Sequence, residues 1–99
     1  IMSDPCHGNT VKVQNRDGQS QKTRIVEDMI DEVVGISDIC NMYGMKLHGL
    51  HLEAVAMSED KKQCIDKRGE LPTCKSDVDP QLNIVQLRKL LKATKDFLL

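Results

Sequence analysis

The sequence predicts a mainly α domain of about four helices stapled by two disulfides, and three observations carry that expectation. Apolar residues recur at helical spacing through much of the chain. The stretch from Asp79 to Leu99 is an uninterrupted amphipathic pattern, and four cysteines stand in only 99 residues. A chain this short reads as a single domain over 1–99. It buries about 60–65% of its unfolded surface, which leaves the core a thin margin.

Residues 1–19 are polar and loop-rich, with Asp4-Pro5, His7-Gly8-Asn9 and Asn15-Arg16-Asp17-Gly18. Within them Thr10 to Gln14 alternates as a strand does, and a turn signal follows. The second arm of such a hairpin is missing an apolar face, because Gln19, Gln21 and Thr23 occupy it. A first helix is expected over 22–34, where Ile25-Val26, Met29-Ile30 and Val33-Val34 alternate with acidic pairs, and Gly35 would end it. A second is expected over 38–57, striped by Ile39, Tyr43, Leu47, Leu50, Ala54 and Met57. Gly44 and Gly49 each cost about 1 kcal/mol inside it and mark a bend. A short alternating strand from Leu50 to Val55 is the competing reading.

A third helix, 59–68, has Ser58 as N-cap and Glu59 and Asp60 facing the positive end of its dipole. A loop over 69–80 leads to the last helix, 81–98, with Asp79 as N-cap and Pro80 in its first turn. Its stripe is Ile84, Leu87, Leu91, Thr94 and Leu98, widened by Val85, Leu90 and Phe97.

Cys6, Cys40, Cys64 and Cys74 form an even set, which suits two disulfides of open connectivity in an extracellular, secreted protein. The competing reading is four reduced, buried thiols in a cytoplasmic chain. A net charge of −1 argues against nucleic-acid binding, and no apolar run approaches the roughly 20 residues of a membrane span. The apolar ends, Ile1-Met2 and Leu98-Leu99, read as those of a trimmed or processed chain.

With only Tyr43 and Phe97 aromatic, methionine must fill much of the core. Met29, Met42, Tyr43, Met45 and Met57 are the expected lining of a cavity for a small apolar ligand. Arg88, Lys89, Lys92 and Lys95 are the expected face for a protein receptor. They also offer a register opposite the acidic first helix, although exposed pairs contribute only about 0–1 kcal/mol. His7, His48 and His51 lie near cysteines without a zinc-site spacing, so neither metal nor cofactor is expected. Phosphate-loop, nucleophile-elbow and paired-carboxylate signatures are missing, and the chain reads as non-enzymatic.

The helix-rich, four-cysteine layout resembles small secreted carriers such as insect odorant-binding proteins, and also short helical cytokines, although its cysteine spacing matches neither pattern closely. These resemblances imply transport of an apolar ligand or, alternatively, receptor signalling. The hairpin-then-helix order from Thr10 to Tyr43 is similar to the ubiquitin-like folds of Ras-binding domains. That implies an α+β runner-up, a β-grasp interaction domain with reduced cysteines.

Overall fold

The computed structural model describes residues 1–76 and 78–98. It is an α+β arrangement of four strands and two helices: β1 (Met2–Ser3), β2 (Thr10–Gln14), β3 (Ser20–Arg24), α1 (Val26–Met42), β4 (Gly49–Leu50) and α2 (Ile84–Thr94). Short 3-10 turns at His7–Asn9 and Lys95–Phe97 complete it.

The hairpin β2–β3 is antiparallel, pairing Thr10 with Arg24 and Gln14 with Ser20. Its turn is built by Asn15, whose Oδ1 accepts from the backbone N–H of Asp17 and of Gln19. Gly18 supplies the positive φ that the turn requires. The second arm lacked an apolar signature for a physical reason. Thr23 and Arg24 are buried polar residues whose hydrogen bonds are made inside the fold, with Thr23 Oγ1 donating to the Gln63 carbonyl.

The long connection from β1 through the hairpin and α1 returns to place β4 parallel to β1, Met2 opposite Gly49 and Ser3 opposite Leu50. Two isolated parallel bridges extend the pattern, Ile25 with Ile65 and Ala54 with Leu82. The segments after β1 and β4 and before α2 are thereby laid side by side.

The main core joins Cys6, Val26, Met29, Cys64, Leu82 and Leu90. A second cluster, Val33, Cys40 and Leu47, lies farther along α1. α2 packs on α1 and begins with a capping box: Asn83 accepts from the Gln86 backbone N–H, and the Gln86 side chain accepts from that of Asn83. Gln86 also donates to the Cys64 carbonyl and to Asp66, which ties the helix start to the 64–66 segment.

Several expectations are overturned. Residues 22–24 belong to β3, and α1 runs through Gly35 to Met42 because Ser37 and Cys40 continue its buried stripe. The helix expected over 38–57 therefore has only its start in a helix. From Leu47 onward the chain is extended, and it is held by β1 and Leu82 rather than by local bonds. Residues 59–68 form turns and one bridge, with no helix. The last helix starts at Ile84, capped by Asn83 and not by Asp79. The β-grasp runner-up is not formed either, since the strands lie in two separate two-stranded sheets.

The disulfides are absent as well. All four cysteines are free thiols, and Cys6, Cys40 and Cys64 are packed into the core as small hydrophobes. Burial pushes the Cys64 thiol up to about 12, so it stays protonated and inert. The secreted, extracellular assignment rested on those bridges and falls with them.

Asp66 gives the fold an acid-sensitive joint. Burial alone would raise its carboxyl, but hydrogen bonds from Lys62 Nζ at 2.7 Å and Gln86 Nε2 at 3.1 Å outweigh this and hold it below its ordinary 3.8. A depressed folded-state pKa means stability that is present above the unfolded value and lost as pH falls through the folded one. Asp66→Asn is expected to cost about 1 kcal/mol at pH 7. It should also flatten the pH dependence of urea unfolding below about pH 4. An unchanged acid limb in the variant would show that Asp66 does not carry it.

Candidate metal centre

The turn after β1 is organised by Asp4. Its Oδ1 accepts from the backbone N–H of Cys6 and of His7, both at 3.2 Å, and its Oδ2 lies 2.6 Å from His7 Nδ1. One carboxylate therefore fixes both the backbone and the ring of His7. The other ring nitrogen, Nε2, faces Glu53 Oε1 at 2.6 Å. With a carboxylate on each nitrogen the ring favours its doubly protonated form. The hydrogen bond to Asp4 is the main cause of the raised His7 pKa, with the Asp4 and Glu53 charges adding to it.

Glu53 sits on the extended segment that follows β4. Its backbone N–H points to Cys6 Sγ at 3.5 Å, and its carbonyl accepts from the Leu82 N–H at 3.0 Å. Its Oε2 accepts from Gln81 Nε2 at 2.9 Å. Asp79 precedes Pro80 on the neighbouring segment. One ligand atom each from His7, Glu53 and Asp79 lie within 4.8 Å of one another.

Arg24, at the end of β3, lies under the two carboxylates. Nη1 is 3.4 Å from Glu53 Oε2, and Nη2 is 3.7 Å from Asp79 Oδ2. His51 stacks against His7 with ring centroids 6.1 Å apart, and Asp4, His7 and His51 form a second, exposed grouping that shares His7.

One imidazole nitrogen and two carboxylate oxygens suit a divalent first-row ion. Three protein ligands is also the number that leaves a catalytic ion an open position. His7 is exposed and Glu53 and Asp79 are half-buried, so the open side faces solvent. Beside Asp79, an open cleft of about 500 Å³ is lined by Ser20, Lys22, Lys75 and Ser76 among others.

The residues singled out from sequence are dispersed. Met29 is fully buried in the main core, Met42, Tyr43 and Met45 are exposed around the end of α1, and Met57 is half-buried against Gln63. Arg88, Lys89, Lys92 and Lys95 are exposed along α2 and the turn after it. Among the described residues, the ion pair that α1's acidic face makes is Asp28 with Arg68, not with α2. Sequence reasoning weighed His7 with histidines and cysteines and overlooked carboxylate partners. The usable signals were Asp4-Pro5-Cys6-His7, where Asp4 can cap and orient the ring, and the alternation of His51 and Glu53 on an extended segment.

The model of the Class-II DAHP synthetase family matches residues 1–92. Two relatives named phospho-2-dehydro-3-deoxyheptonate aldolase, from Streptomyces coelicolor and Streptomyces lividans, are each 28% identical over 88 residues, 83% of this chain. The chain spans 18% of the first and 56% of the second. A family of enzymes overturns the expectation of a non-enzymatic carrier or signalling protein, and with it the apolar ligand and the receptor as partners.

Proposed function

The chain belongs to the class-II DAHP synthetase family, and from that premise we propose that it carries the divalent-metal site of a phospho-2-dehydro-3-deoxyheptonate aldolase. The observation that supports this most is the convergence of His7, Glu53 and Asp79 on one point from three separate segments. An aldolase makes or breaks a carbon–carbon bond next to a carbonyl, and a divalent ion held here would polarise that carbonyl oxygen as a Lewis acid.

The chain's own residues have distinct tasks. Asp4 holds the His7 ring by Nδ1, so Nε2 is the atom that would ligate, giving up its proton and its contact with Glu53 Oε1 as the ion binds. Glu53 and Asp79 supply the negative charge, and the paired segments around Ala54 and Leu82 fix their spacing. The relatives' name describes a phosphorylated 2-keto acid, which carries both a carboxylate and a phosphate. Lys22 and Lys75 in the cleft beside Asp79 present the cationic wall that its phosphate would need.

Chelation is the direct test. Dialysis of the full chain against EDTA is expected to abolish aldolase activity, and Mn²⁺, Co²⁺ or Zn²⁺ to restore it. Activity that persists in the chelator would overturn the metal assignment. Metal binding without any turnover of the 2-keto acid phosphate would overturn the substrate.

A further inference from the structure

We propose that Arg24 is the positioning residue of this centre, holding Glu53 and Asp79 at ligating geometry and so setting the affinity for the ion; this rests on the metal reading above. Arg24 is 1% exposed, which for a guanidinium is a costly location unless its charge and donors are used. Its orientation is fixed from two sides. Nε donates to Thr10 Oγ1 on β2 at 2.9 Å, and Nη1 donates to the Pro80 carbonyl, next to Asp79, at 2.9 Å. The planar fork thus joins the hairpin to the segment that carries Asp79.

From that position Nη1 faces Glu53 Oε2 and Nη2 faces Asp79 Oδ2. Nη2 is buried with no hydrogen-bond partner. A buried, unsatisfied donor aimed at a carboxylate is a cost that a purely structural arginine would shed. Here its charge, 3.7 Å from Asp79 Oδ2, is what keeps Asp79 turned toward His7 and Glu53. Arg24 is reached through Thr23 and the hairpin, so β2–β3, which contributes none of the three ligands, still governs the centre.

The alternative role, a simple counter-charge, predicts the opposite sign. Removing a cation beside the site makes it more negative and would strengthen attraction for a dication. Removing a positioning group weakens binding, by about 10–100-fold for an outer-shell partner.

The test is Mn²⁺ binding by calorimetry on the full chain, with folding followed by circular dichroism. Arg24→Gln is expected to weaken binding about 10–100-fold. Arg24→Lys, which keeps the charge and loses the fork, should recover only part of it. Thr10→Val, which frees Nε and also removes the bond from Thr10 Oγ1 to the Cys6 carbonyl, should weaken binding by a smaller factor. Unchanged or tighter binding in a folded Arg24→Gln variant, or full recovery with lysine, would overturn the proposal. If Arg24→Gln does not fold, Thr10→Val decides, and unchanged affinity there overturns it. Wild-type binding that His7→Ala abolishes and Arg24→Gln leaves intact removes this inference alone. No saturable binding to the wild type removes the metal reading together with it.

Discussion

Glutamine in place of Glu53 is expected to lower the affinity for a divalent ion by about 100-fold or more, beyond the effect of a typical outer-shell change. The substitution keeps the shape of the side chain, so its effects follow from charge and acceptor count. In the native centre Oε1 faces His7 Nε2, while Oε2 accepts from Gln81 and faces Arg24. An amide has one acceptor oxygen, so whichever way it turns, one of those groups meets an N–H instead. The buried guanidinium also loses half of its facing negative charge. The metal-free variant is therefore expected to lose about 1–3 kcal/mol of stability as well. Calorimetric titration reads the first effect and urea unfolding the second. Wild-type affinity in the variant would remove Glu53 from the ligand set.

Leu90→Ala is expected to cost about 2–5 kcal/mol, the range for deleting a fully buried leucine side chain. Leu90 is fully buried on α2 and packs with Val26 and Met29 of α1, with Leu82, and with Cys6 and Cys64. A chain of this size has about 5–10 kcal/mol in total, so the loss is a large share of it. The neighbouring Leu91 is 42% exposed, and its replacement by alanine provides the control, expected within about 1 kcal/mol. Equal losses at the two positions in urea unfolding would contradict the packing described. Cys6 precedes His7, and Leu82 bridges to Ala54 beside Glu53, so the same cavity should loosen the metal centre.

Local physics was legible where local contacts decide structure. The stripe Val26, Met29, Val33 of α1 and the amphipathic pattern of α2 are both visible in the sequence, because each helix satisfies its own backbone. Their boundaries were less so. Gly35 costs a helix about 1 kcal/mol, and the burial of Ser37 and Cys40 beyond it wins. Asn83 outcompetes Asp79 as a cap because Gln86 lies three residues after it, completing the box.

Between Tyr43 and Pro80 the apolar spacing pointed to helices that tertiary pairing overrides. Leu50 and Leu52 lie on an extended segment whose partners are β1 and Leu82, distant in sequence. Thr23 and Arg24 hide a strand for the opposite reason, since buried polar residues leave no apolar alternation to detect. The candidate metal centre was least legible of all. His7, Glu53 and Asp79 share no short motif and meet only through contacts distant in sequence, among them β1 with β4 and Ala54 with Leu82.

The bridge between Ala54 and Leu82 has a thermodynamic meaning for ligand capture. Glu53 and Asp79 come from segments that a free chain would keep apart, and closing such a loop has an entropic cost that grows with the logarithm of its length. Here backbone pairing and the burial of Leu82 meet that cost during folding. An ion taken up at the proposed centre would not need to gather its ligands from a flexible chain, and more of its coordination energy would be left to appear as affinity.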